Sequence, residues 1–130
     1  MSASEQLAAR AARLRVLLVE DEIMVALLLE DMLAELGHTV MGPVARLDKA
    51  LGMAQSEAFD LAFLDVNLDG EQVYPVAEVL AARGIPFVFV TGYDREGLRP
   101  PYGDRPTLQK PFRRHDLAQL LAKVCSAKQA

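Results

Sequence analysis

At 130 residues, with 52% hydrophobic and 25% charged, the chain is long enough for one real core and too apolar to stay disordered. Its net charge of −4 comes with no dominant Lys/Arg patch, which argues against nucleic-acid binding as its main business. A lone cysteine excludes an internal disulfide, and no apolar run reaches the roughly 18 residues of a membrane span.

Residues 2–13 are rich in Ala, Arg and Glu and lack the apolar segment of a secretory signal. They read as a weakly helical extension, and the cytoplasm is the default location. Arg15-Val16-Leu17-Leu18-Val19 reads as a strand running into Glu20-Asp21-Glu22. A helix follows over about Ile23 to Leu36, with Val25, Leu28, Leu29, Met32 and Leu36 at core spacing and Gly37 as the stop. Met24 and Leu27 fall off that stripe, which hints at a contact surface. Thr39 to Pro43 reads as a short strand with Pro43 at its end or at an edge. Leu47, Ala50, Leu51 and Ala54 outline the second helix.

Leu61-Ala62-Phe63-Leu64 is a strand apolar on both faces, and it ends in Asp65 and a turn closed by Gly70. An Asp in that place either caps the turn or faces a ligand at the sheet rim. Val73, Val76, Ala77 and Leu80 mark a third helix, stopped by Gly84. Pro86 to Thr91 is a fourth strand, again apolar up to a polar last residue. From Asp94 to Arg105, Gly97, Pro100, Pro101 and Gly103 leave room for one or two helical turns at most. Thr107-Leu108-Gln109-Lys110 is a fifth strand broken by Pro111, and Leu117, Leu120, Leu121 and Val124 form the last helical stripe. With Trp absent and aromatics few, the core reads as aliphatic, with Cys125 a buried thiol and His38 and His115 at the surface.

Five strand–helix alternations call for an α/β fold, a doubly wound parallel sheet with helices on both faces. Ligands of such sheets bind at the carboxyl ends of the strands, where Glu20, Asp21, Asp65, Thr91 and Lys110 fall. Three carboxylates in one cleft repel, and a hard cation such as Mg²⁺ relieves them. Lys110 and Thr91 then suit phosphate oxygens, and a carboxylate can accept a phosphoryl group as an aspartyl phosphate. The bland alternatives are a helix cap after the first strand and an exit turn at Lys110-Pro111.

Over residues 14–127 the chain resembles a bacterial response-regulator receiver domain. The resemblance rests on Val19-Glu20-Asp21-Glu22, Leu64-Asp65-Val66-Asn67-Leu68, Val90-Thr91-Gly92 and Gln109-Lys110-Pro111-Phe112. It implies a flavodoxin-like strand order 2-1-3-4-5 with a shortened or disordered fourth helix, residues 1–13 as an N-terminal extension, and no output domain. It further implies Asp65 as phospho-acceptor, fed by a histidine kinase or a histidine phosphotransfer protein. Mg²⁺ would be held by Asp21, Asp65 and the Asn67 carbonyl, with Glu20 acting through water. Thr91 and Lys110 would bind the phosphoryl oxygens, and Lys110-Pro111 would be cis. Thr107 stands where the family usually has a switch aromatic. Val88-Phe89-Val90-Thr91-Gly92-Tyr93 is similar to the Phe-Ala-Thr-Gly-Tyr stretch of a subgroup, often single-domain, in which Tyr93 would share the switch role with Thr91. Signalling would pass to a downstream protein partner, without nucleic acid or membrane insertion, and any homodimer would be weak. The rival readings are a receiver-like interaction module that is never phosphorylated and a small aspartyl-phosphate hydrolase. The latter's Asp-x-Asp pattern is missing, because Asn67 follows Asp65 at that spacing.

Overall fold

Strands that are apolar on every residue can only lie in the middle of a sheet covered on both sides, and this is where they are found. The computed structural model describes residues 13–92 and 98–129, with side chains as far as residue 124. Strands β1 (Arg15–Val19), β2 (Thr39–Val44), β3 (Leu61–Asp65), β6 (Phe87–Thr91) and β7 (Thr107–Gln109) form one parallel sheet in the order β2-β1-β3-β6-β7. Helices α1 (Ile23–Glu35) and α4 (Arg114–Gln129) cover one face, while α2 (Leu47–Ser56) and α3 (Tyr74–Arg83) cover the other. Alternate residues of β1, Val16 and Leu18 against Leu17 and Val19, enter the two cores in turn. This is the doubly wound parallel sheet expected from the strand–helix alternation, in the flavodoxin-like order that the resemblance implies. Among the described residues no helix is long and apolar enough to cross a membrane.

The sheet's edge strand β2 carries a bulge. Leu17 pairs with Met41, yet Val19 pairs with Val44, so β2 has one residue more than β1 over that span. Gly42 absorbs it at φ +105, and a Cβ there would lie 2.7 Å from the Leu18 carbonyl and 2.8 Å from the Val44 nitrogen. The bulge matters for the site, because the Glu20 N–H donates to the Val44 carbonyl at 2.9 Å directly after it. Gly42→Ala should therefore lower stability by about 2–3 kcal/mol, as a strained backbone meeting a hard clash does. The check is the urea midpoint at constant m-value, and an unmoved midpoint would show that β2 relaxes freely.

Several expectations are corrected. Helix α1 buries Ala26, Leu29, Met32 and Leu33, while Leu28 is 42% exposed beside Ile23, Met24 and Leu27. Nearly every residue of its first two turns is apolar, so periodicity alone could not choose the buried stripe. His38 is buried rather than superficial: its Nδ1 accepts the Leu14 N–H at 2.9 Å, while the Thr39 N–H donates to the Leu14 carbonyl. The core is not purely aliphatic, since Tyr74, Phe87, Phe89 and Tyr102 form one aromatic cluster on the α2/α3 face. His115 is exposed, as expected. The side chain of Cys125 lies outside the described residues.

Two connections complete the frame. After β3, the two-residue strands β4 (Asn67–Leu68) and β5 (Glu71–Gln72) pair antiparallel about Asp69-Gly70. Both turn residues have positive φ, +49 and +87, as a two-residue Asp-Gly hairpin requires. Between β6 and β7, residues 98–106 hold one 3₁₀ turn, Tyr102–Asp104, and no α-helix. They are nevertheless anchored: Leu98 and Tyr102 are buried, the Tyr102 ring stacks on Tyr74, and the Arg99 N–H donates to the Tyr74 hydroxyl at 2.9 Å.

Candidate functional site

Parallel strands deliver their last residues to the same edge, and here those residues are polar. Glu20 and Asp21 follow β1, Asp65 closes β3, Thr91 closes β6 and Lys110 follows β7. The parallel register sets Asp65 beside Val90, so Thr91 lies one residue further along the neighbouring strand. The Lys110 N–H donates to the Thr91 carbonyl at 2.9 Å, joining the β6 and β7 ends. The Lys110–Pro111 peptide is cis, as the resemblance implies.

The side chains converge. Glu20, Asp21, Glu22 and Asp65 each offer an oxygen, all within 4.8 Å of one another. Lys110 Nζ lies 3.0 Å from Glu22, 3.3 Å from Glu20 and 3.6 Å from Asp65. Main-chain donors hold the carboxylates in place: the Glu22 N–H bonds to Glu20 at 3.1 Å, the Asn67 N–H to Asp65 at 3.3 Å, and the Asp69 N–H to Asp21 at 2.8 Å.

Four carboxylates face one ammonium, and Asp65, Asp21 and Lys110 respond with shifted protonation. Burial is the main force that pushes the Asp65 carboxyl up, to about 8, with proton sharing and repulsion from Glu20 and then Asp21 adding to it and Lys110 opposing. Burial also pushes Asp21 up, but the proton shared by Asp65 and the Asp69 N–H outweigh it and leave Asp21 below its usual range. Lys110 is pushed down by burial and up by Glu22, Asp65 and Glu20, with a net rise that keeps it an ammonium. Glu20 Oε1 and Asp21 Oδ1 are buried acceptors without a hydrogen-bond donor among the described residues, although Lys110 stands 3.3 Å from the former. Acceptor-only oxygens in this number, two of them unserved, fit a hard divalent cation.

Of the residues singled out from sequence, Glu20, Asp21, Asp65, Thr91 and Lys110 thus gather at one end of the sheet. Asn67 contributes its N–H to the Asp65 carboxylate. Tyr93, expected to share the switch role, lies outside the described residues. Glu22 and Asp69 belong to the site and were not foreseen in it. The third acid of Glu20-Asp21-Glu22 was visible, but nothing in the sequence tied it to a lysine 88 positions away. Asp69 acts through its main chain, which side-chain chemistry does not reveal.

The sequence profile of the family described as "Response regulator receiver domain" matches residues 16–122. The phyllosphere-induced regulator PhyR of Methylorubrum extorquens is 30% identical over 129 residues, covering 94% of this chain and 47% of PhyR. The chain therefore spans about half the length of that curated relative. The solution structure of SdrG from Sphingomonas melonis Fr1 is similar at 47% identity and a TM-score of 0.76, covering 83% of this chain and 92% of SdrG. SdrG in its BeF3-activated conformation is similar at 45% identity and a TM-score of 0.74, covering 85% of this chain and 95% of that one. The receiver domain of the sensor histidine kinase PA1611 from Pseudomonas aeruginosa PAO1 has a magnesium ion coordinated in its active-site cleft. It is 27% identical, covering 87% of this chain and 98% of that domain, with a TM-score of 0.74.

Proposed function

The chain belongs to the response regulator receiver domain family, and from that premise we propose that it accepts a phosphoryl group on Asp65 and signals through protein contacts. The observation that carries the proposal is the buried Asp65 carboxyl, set at a strand end between an acidic cluster and the Lys110 ammonium.

In the reaction, one Asp65 carboxylate oxygen attacks phosphorus. The new O–P bond forms as the donor's P–N bond (from a phosphohistidine) or P–O bond (from a small donor) breaks, and the departing atom keeps the electron pair. Asp65 must shed its proton to act, and the neighbouring Glu20 and Asp21 are the carboxylates with which that proton is shared. Lys110 brings a positive charge to the phosphoryl oxygens, and the Thr91 hydroxyl, from the residue that ends β6, is a neutral donor suited to them. Glu20, Asp21, Asp65 and the Asn67 main chain would hold Mg²⁺, which supplies charge neutralisation for the transferred group.

The donor that fits is a histidine kinase or a histidine phosphotransfer protein, which places the chain in the cytoplasm. The magnesium site of the PA1611 receiver domain and the BeF3-activated form of SdrG support the metal and the acceptor chemistry respectively. On output, PhyR is named a regulator, and the face between β6 and β7, which carries the 3₁₀ turn Tyr102–Asp104, is the surface proposed here for a downstream partner. The test is intact mass after incubation with a small phosphodonor and Mg²⁺. A gain of one phosphate is expected, and no gain with any donor would instead favour an interaction module that is never phosphorylated.

A further inference from the structure

Lys110 makes its shortest contact with the one carboxylate that the phospho-acceptor reading leaves unused. Its Nζ is 3.0 Å from Glu22 Oε1 and hydrogen-bonded to it, against 3.3 Å to Glu20 and 3.6 Å to Asp65. Glu22 occupies the N-cap of α1, where a side-chain acceptor would ordinarily serve the first-turn amides. It makes no such cap bond, and its side chain reaches across to the β7 end instead. The partners also differ in setting: the Glu22 side chain is 61% exposed, whereas that of Asp65 is 7% exposed.

We propose that Glu22 is a latch on Lys110, holding the ammonium in the resting site so that phosphoryl capture at Asp65 requires the Lys110–Glu22 pair to open. The inference rests on the phospho-acceptor reading and assigns Glu22 as a positioning residue, acting through Lys110 rather than on the phosphoryl group. An ammonium has three donors and three carboxylate partners here, so the oxygens of an incoming group compete with those partners for the same charge. Glu22 is also the strongest of the interactions that hold Lys110 protonated against its burial. Because an exposed ion pair is weak, the latch sets the affinity of the site rather than blocking it, by about twofold to fivefold.

The experiment is a titration with beryllofluoride, a phosphoryl mimic, in saturating Mg²⁺, followed by amide NMR at residues 65–69 and 110. The proteins compared are wild type, Glu22→Ala and Glu22→Asp. Glu22→Ala removes latch and charge together, and loses no cap bond because none exists. Glu22→Asp keeps the charge beside the site but withdraws the carboxylate by one methylene from Lys110. The latch predicts that both variants lower the half-saturating mimic concentration by about twofold to fivefold, with the melting temperature unchanged. If only Glu22→Ala tightens binding, the effect is simple charge repulsion and the latch is wrong. If neither variant changes it, the Lys110–Glu22 pair has no bearing on capture, and the latch is equally wrong. A wild-type protein whose 65–69 amides ignore the mimic would overturn the phospho-acceptor reading, and the latch with it.

Discussion

Asp65→Asn is expected to fold normally and to gain no phosphate under conditions that phosphorylate the wild type. The argument for the lost chemistry is direct, because an amide oxygen is not a usable nucleophile towards phosphorus. The argument for the retained fold comes from the site's protons. Burial and the neighbouring Glu20 favour the neutral form of the Asp65 carboxyl, and an Asn amide keeps that neutrality while offering an NH₂ donor to the cluster. The Asn67 N–H keeps an acceptor in the amide oxygen, and β3 keeps its four buried apolar residues. The expected effect is all-or-none in mass and nil or slightly favourable in melting temperature. Labelling of the variant at the wild-type level would move the acceptor elsewhere.

The second large effect is on stability against pH. An unfolded Asp releases its proton near pH 3.9, whereas burial and the neighbouring Glu20 keep the folded Asp65 protonated up to about 8. Between those values the folded protein binds the extra proton, so stability falls as pH rises. The Asp65 contribution is fully present below pH 4 and gone above pH 8. Asp21 has the opposite sign, but its shift acts below the ordinary carboxylate range and leaves this window untouched. Without divalent cations, the melting temperature should thus drop by about 3–6 °C more in the wild type than in Asp65→Asn between pH 5 and pH 8. Comparison with Asp65→Asn isolates this group from every other that titrates. Mg²⁺ competes with the proton, so it should raise the melting temperature more at pH 8 than at pH 5, and Asp21→Ala should lose most of that gain. Parallel pH profiles for wild type and Asp65→Asn would mean that Asp65 is ionised in the metal-free protein.

What the sequence made legible follows from how the fold buries it. The three central strands were readable because each is a short apolar run with a polar residue at its end or directly after it, and those ends are where the acidic cluster assembles. The same uniformity hid the buried stripe of α1, in which Ala26 and Leu33 displace Leu28. Asp69-Gly70 was a hairpin signal in plain view, but strands of two residues leave no alternating pattern to flank it. Composition could not show the cluster of Tyr74, Phe87, Phe89 and Tyr102, since a low average content says nothing about residues gathered on one face. Main-chain donors such as the Asp69 N–H were invisible in principle, because every residue but proline carries one.

The anchoring of residues 98–106 has a consequence best put in terms of redundancy. Between α1 and α4, Arg114 pairs with both Asp31 and Glu35 beside the apolar cluster that the two helices share, so this join has two ionic ties. The β6–β7 connection leans more heavily on one ring. Three of its restraints converge on Tyr74: the Tyr102 ring stacked against it, the Arg99 N–H bonded to its hydroxyl, and the Arg99 guanidinium 4.7 Å over its ring. The Tyr102 ring also meets Phe87 and Phe89, the Arg105 guanidinium lies 4.4 Å over the Phe87 ring, and Arg99 bonds to Gln72, two residues before Tyr74. Tyr74, which also packs edge-on against Phe89 of β6, therefore ties the connection both to the start of α3 and to the sheet. Substitution of Tyr74 is thus expected to loosen the connection and the aromatic cluster together.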